Sequence, residues 1–423
     1  MSARPPPRSG LARGLRVGSA ALAAGALSIG DRLRSTRPAE PEGARLGRVM
    51  LAALLDLRGA ALKIAQFLSL ESDLLPEGAA RELAQACHRV PPMSPQFARD
   101  MVQSQVGPIG RHFGSFEPAP FAAASLGQVH AATSRRGVPL AVKIQYPGMP
   151  ETIHADVHLL RRVLGAFRHA AHYRRLLDEI ETRLLEECDY EQEAERAAWF
   201  RERIAVDGVT VPEVVPELSA SGVLTTTRLA GRHVDEWLAG QPSPQERDLA
   251  AQRLYDVFVQ SLHVHGCLHA DPNPGNVLFG NGGTVGLLDF GCTRRIPPDC
   301  QDLITRTWRA AVAADDDAAQ AAHRDMGLFA HLSKEQAREL DQASVQPFRR
   351  WLAIPFLTER FDFGAQPGFV SEGRRLLARM LRDEALVGIR PEFILVNRTL
   401  YGWYRVFERL QARVCCQTEW TAA

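Results

Sequence analysis

The feature that most restricts this chain is a set of polar residues in a fixed order. His269-Ala270-Asp271-Pro272-Asn273-Pro274-Gly275-Asn276 is followed by the apolar runs NVLF and TVGLLDFG, the second ending in Asp289-Phe290-Gly291. The two runs read as a small β-hairpin. An aspartate, an asparagine five positions later and a strand closing on Asp-Phe-Gly match the apparatus of phosphoryl transfer. In that apparatus Asp271 orients or deprotonates the attacking hydroxyl. Asn276 and Asp289 offer hard oxygen ligands for Mg²⁺ on the phosphates of ATP or ADP.

Lysine usage supplies a second pointer. Of 50 basic residues only Lys63, Lys143 and Lys334 are lysines. A lysine kept in so arginine-rich a chain suggests a place for a compact point charge with rotatable donors, which a planar guanidinium does not supply. Lys143 ends the strand-like run Leu140-Ala141-Val142-Lys143, the position of a lysine that contacts the α- and β-phosphates. Such a lysine needs a helix carboxylate, and Glu187, Asp189, Glu191, Glu193 and Glu195 all follow in one helical stretch. Spacing alone does not choose among them.

Two absences narrow the chemistry. No G-x-G-x-x-G precedes Lys143; the corresponding stretch carries Ala122, Ala123, Ala124, Ser125, Gly127, Gln128 and Val129. Each β-carbon there restricts how closely backbone N–H groups approach phosphate. No A-P-E follows Asp289, and GCTRRIPPD leads almost directly into the next helix. A platform for a protein substrate is therefore missing. His154 and His158 share a helix face at i, i+4 but lack the third ligand of a metal site. A net charge of +1 excludes the basic footprint of a nucleic-acid-binding domain. The 7 cysteines include no C-x-x-C pair, which points to a reducing compartment.

Pattern divides the chain into four parts. Residues 1–44 are arginine-rich, with an uncharged run from Val17 to Gly30 that is too short for a membrane span. It reads as an amphipathic helix that touches a membrane or packs on the body of the protein. Residues 45–112 read as a helical extension. Residues 113–230 hold strand-like runs and long helices, and residues 231–423 are mostly helical. The fold class is α+β and bilobal, a small sheet-containing lobe followed by a helical one.

Over roughly residues 45–410 the chain resembles the UbiB/AarF atypical kinase-like family, in its ubiquinone-biosynthesis branch. RGAALKIAQFLS, PFAAASLGQVHAA, AVKIQYPGM, EECDYEQEAERAAWF, HADPNPGNVLF and LLDFG carry the resemblance. It implies a protein-kinase-like fold whose N-terminal helical extension lies over the active site. Lys63 and Gln66 match the family's Lys-x-Gly-Gln signature, although Ala65 replaces its glycine. Glu187 and Asp189 match its Glu-x-Asp signature; with Lys63 and Gln66 they would occlude the site to a protein substrate. Glu193 takes the place of the glutamate paired with Lys143, and Ala122 to Ser125 match an alanine-rich loop over the nucleotide. The implied activity is that of an atypical kinase or ATPase. Its implied cofactors are ATP or ADP and Mg²⁺, bound between the lobes.

The implied setting is ubiquinone or other isoprenoid-lipid metabolism. Partners would be an isoprenoid or quinone lipid and lipid-biosynthesis enzymes, with no nucleic acid. Localisation would be cytoplasmic and peripheral on the inner face of a membrane, without a transmembrane segment. Two other readings share parts of the pattern. A small-molecule phosphotransferase of the aminoglycoside or choline kinase type would use the same H-x-D, Asn and Asp. A nucleotide-binding scaffold without turnover would account for the alanine-rich loop.

Overall fold

A computed structural model describes residues 93–124, 126–164, 170–383 and 388–421. Lys63, Gln66, Ser125 and the arginine-rich segment 1–44 lie outside the described residues. The chain divides into two compact units, one running to Glu191 and taking in Val215–Thr226, the other comprising Gln192–Val214 and Thr227 onward.

In chain order the first elements are α1 (Pro95–Gln105), α2 (Ile109–His112), β1 (Phe113–Ala124), β2 (Gly127–Ser134), β3 (Pro139–Gln145), α3 (Met149–Leu164), α4 (Ala170–Glu186), α5 (Tyr190–Arg203), β4 (Val209–Thr210) and β5 (Val223–Thr227). The first unit is built on a four-stranded sheet in the order β1-β2-β3-β5. β1 is an edge strand, which is where Pro118 and Pro120 can sit without costing a ladder hydrogen bond. It pairs antiparallel with β2 through three shifts of register. Period-two alternation in β3 sends Leu140, Val142 and Ile144 into a core with Phe113, Phe116, Ala98 and Val102. Lys143 therefore points to the opposite face. Ser94 caps α1 by accepting from the Phe97 amide, and Pro95 opens the helix. α3 and α4 pack on each other, and their Ile153, Val157, Leu160, Leu177, Ile180 and Leu184 are buried.

The second unit continues with α6 (Val234–Ala239), α7 (Pro244–Val259), β6 (Cys267–His269), β7 (Val277–Phe279), β8 (Val285–Leu287), β9 (Thr293–Arg295), α8 (Pro298–Val312), α9 (Asp316–Asp325), α10 (Lys334–Leu340), α11 (Gln346–Ala353), β10 (Phe361–Asp362), α12 (Phe369–Arg382), α13 (Pro391–Leu410) and β11 (Arg413–Val414). A capping box between Ser243 and Glu246 starts α7. Its buried residues Leu254, Tyr255 and Phe258 join Leu400, Trp403, Tyr404 and Phe407 of α13 in one core.

Three small sheets hang on that core. β7 and β8 form the expected hairpin, and β4 joins it in parallel, giving the order β4-β8-β7. β4 is confined to Val209 and Thr210. β6 pairs with β9 and β10 with β11. These pairs of two- and three-residue strands leave too short an alternation to be read from sequence. Among the described residues no helix is long and apolar enough to cross a membrane.

Candidate active site

In the second unit two short ladders bring the polar residues together. Cys267, Leu268 and His269 pair with Arg295, Arg294 and Thr293. The Ala270 amide donates to the Cys292 carbonyl at 2.9 Å, so Asp271 leaves the strand beside the segment that follows Gly291. In the hairpin Val277 pairs with Leu287, and the Leu288 amide donates to the Asn276 carbonyl at 3.0 Å. Asn276 and Asp289 thus occupy the same end of the hairpin.

Between Asp271 and β7 the chain makes a tight turn. Asn273 accepts from the Gly275 amide at 2.9 Å, and Pro274–Asn276 form a single 3₁₀ turn. That turn carries the Asn276 side chain back onto Asp271, where Nδ2 donates to Oδ2 at 2.6 Å. The bond fixes the amide: its nitrogen faces Asp271 and its oxygen faces away. An asparagine oxygen and the Asp289 carboxylate are both hard donors, and two such ligands plus phosphate oxygens suit Mg²⁺. The donor set therefore fits that cofactor. Asp289 Oδ1 also accepts from the Gly291 amide at 2.9 Å, which holds the Asp-Phe-Gly turn closed.

Aromatic packing fixes this turn from beneath. Phe290 is fully buried, 5.2 Å from the Phe200 ring and 5.5 Å edge-to-face from His269. His269 Nε2 donates to the Asp289 carbonyl at 2.6 Å. The residue before Ala270-Asp271 thus ties the loop to the Asp-Phe-Gly turn, a role the motif alone does not reveal. His263 stacks on Trp420, and His265 meets Trp199 edge-on.

Helix α5 delivers two charged groups to Gly291. Glu193 is 3% exposed, and its Oε2 lies 4.0 Å from where a β-carbon on Gly291 would stand. Arg196, on the same helix face, donates to the Gly291 carbonyl at 2.6 Å. Sequence reading missed Arg196; its place three residues after Glu193 is the signal that could have found it.

The remaining candidates lie in the first unit. Lys143 stands opposite Val129 in the ladder, with its ammonium 4.9 Å from the centroid of the buried Tyr190 ring. Ala122, Ala123 and Ala124 face Val129, Gln128 and Gly127 across the hairpin. Over its described residues, Ala122 to Ala124, the alanine-rich stretch is therefore strand. Gly127 is needed for strand approach: a β-carbon there would overlap the Ile144 carbonyl oxygen and stand 2.9 Å from its carbon.

Gln128 is 2% exposed and its side-chain amide is used internally. Its Oε1 accepts from the Met93 amide at 2.9 Å, and its nitrogen donates to His130 Nε2 at 2.8 Å. His130 Nδ1 in turn donates to the Glu117 carbonyl at 2.9 Å. Any contact Gln128 makes with phosphate would come from its backbone.

Glu187 and Asp189 flank Cys188 in the turn between α4 and α5. Gln145, two residues after Lys143, clamps that turn by donating to the Cys188 carbonyl at 2.8 Å. Burial, with Glu187 and Glu151 nearby, pushes the Cys188 thiol up to about 12, which makes it a packing residue and not a nucleophile. His154 binds Glu181 at 2.7 Å while His158 meets Arg162 at 2.8 Å, so the two histidines have separate partners.

A strand lysine, an Asp–Asn pair and an Asp-Phe-Gly turn at the end of a short hairpin define a kinase-like protein. The model of the ABC1 atypical kinase-like domain matches residues 85–323, and the chain belongs to that family. Among curated relatives it is similar to "Atypical kinase coq-8, mitochondrial" of Caenorhabditis elegans, 30% identical over 87% of this chain and 49% of the relative. "Atypical kinase COQ8B, mitochondrial" of Danio rerio is 29% identical, over 96% of this chain and 66% of its own. The chain spans about half the length of the first of these relatives. Among solved structures, the complex of Rv3197 with erythromycin from Mycobacterium tuberculosis has a TM-score of 0.63 at 25% identity, covering 88% of this chain and 94% of that one. The fold class is thus the α+β, kinase-like one.

Proposed function

We propose that the protein is a magnesium-dependent atypical kinase or ATPase acting in isoprenoid-lipid metabolism, ubiquinone biosynthesis included. The observation that carries the reading is the 2.6 Å bond from Asn276 to Asp271, made at the hairpin end where Asp289 emerges. In this reading Asn276 and Asp289 hold Mg²⁺ on ATP or ADP. Asp271 receives or orients the hydroxyl that attacks the γ-phosphate. Lys143 neutralises phosphate charge, and the backbone of Gly127 to Val129 with the alanines opposite borders the nucleotide. Glu193 is assigned a catalytic role with Lys143; non-additive losses in a double-mutant cycle would support it. Lys63 and Gln66, with Glu187 and Asp189, are assigned to excluding a protein substrate.

The lipid assignment, with lipid-biosynthesis enzymes as partners and a peripheral place on a membrane, rests on the family resemblance. The relative solved with erythromycin gives a ground for weighing small hydroxyl-bearing acceptors as well. Magnesium-dependent ATP turnover measured alone, with isoprenoid-quinone-bearing vesicles, and with soluble alcohols including a macrolide decides between them. Stimulation by the quinone vesicles is expected. Transfer of phosphate to a soluble acceptor, with no response to vesicles, would replace the lipid reading.

A further inference from the structure

The loop that carries Asp271 rests on a helix far along the chain. Gly402 lies in the interior of α13, beyond the stretch 85–323 that defines the family domain. A β-carbon at Gly402 would overlap Pro272 Cγ, stand 2.9 Å from Pro272 Cβ and reach Cδ at 3.6 Å. Ordinary carbon contacts need about 3.5–4.0 Å, so helix and loop are closer than any side chain permits. A helix interior is an unfavourable place for glycine, and the close approach is the reason to find one there.

Neither neighbour can give way easily. Trp403 and Tyr404 are buried, and the Tyr404 hydroxyl donates to the Leu352 carbonyl at 3.1 Å, so α13 is held in the core. Pro272 is a closed ring with a fixed φ, so it cannot swing aside as a flexible side chain would. Added volume must be relieved by the loop, and Asp271 is the adjacent residue. Asn276 follows Asp271 through their hydrogen bond.

We propose that Gly402 is a positioning residue: α13 seats Pro272, and through it sets where Asp271 and Asn276 stand. This deepens the phosphoryl-transfer reading and rests on it. A misplacement of about 1 Å at a reacting group can cost on the order of 100-fold in rate.

The test is Gly402→Ala, alone and combined with Pro272→Ala, which removes the overlapping Cγ and Cδ and opens the ring, so that the remaining Cβ, 2.9 Å away, can shift by the few tenths of an ångström it needs. Gly402→Ala should lower kcat for ATP turnover at least tenfold while KM stays within about threefold. The double variant should return to within about threefold of Pro272→Ala alone. A wild-type rate in Gly402→Ala, or a double variant no faster than Gly402→Ala, would overturn the proposal. Should Gly402→Ala not fold, Pro272→Ala and the double variant are compared directly, equal rates supporting the seat and a further loss refuting it. Amide exchange across residues 271–276, read without nucleotide, separates this idea from the functional reading. Faster exchange in Gly402→Ala supports the seat even if the wild type turns over no ATP, whereas unchanged exchange counts against it.

Discussion

Asp271 and Asn276 are five positions apart with two prolines and a glycine between them, so a single turn can close their side chains onto each other. Their pairing is legible in sequence because it is local. The groups that meet at Gly291 are not, since Arg196 arrives from 95 residues away. Nor is the use of Gln128, whose amide is consumed by Met93 and His130 through a ladder register that no motif specifies. Asp271→Asn keeps a hydrogen-bonding group beside Asn276 but abolishes the base. Turnover should fall by about 100-fold or more while nucleotide affinity stays within a few-fold. Equal losses in both, by single-turnover kinetics and calorimetry, would make Asp271 a binding residue instead.

At the scale of elements, the strands around Lys143 were legible because β3 alternates cleanly. The pairs β6–β9 and β10–β11 were not, because three or two residues carry no period. The β1–β2 hairpin shows how a polar side chain can serve the element that bears it. Gln128 ties the entry to α1 to a buried histidine, with both ends of its amide paired. Gln128→Ala should therefore strand the Met93 amide and leave His130 without its donor, costing about 1–3 kcal/mol in denaturant unfolding. Nucleotide affinity should change little in the folded variant. A variant as stable as wild type but weakened for nucleotide would return Gln128 to the phosphates.

For the whole molecule, the second unit contains histidines that burial keeps neutral. Desolvation lowers His263 to about 4. His323, enclosed beside Arg349, is lowered to about 3. In the unfolded chain both would take up protons near pH 6.5. Their contribution is thus present above pH 6.5 and lost as pH falls towards 4 and 3. Between pH 6.5 and 5 the loss is about 2 kcal/mol for each. Melting temperature should drop across that window, and His263→Phe should flatten the drop. An undiminished slope in His263→Phe would show that this ring is not neutral in the folded protein.

The proposed chemistry requires magnesium and nucleotide to meet at Asn276 and Asp289. Calorimetric titration of Mg²⁺–ATP into the wild type and into Asp289→Asn tests that most directly. Losing one anionic ligand should weaken affinity at least tenfold, about 1.4 kcal/mol, and the wild type should bind ATP poorly once Mg²⁺ is chelated. A folded Asp289→Asn that binds as tightly as wild type, or binding indifferent to Mg²⁺, would contradict it.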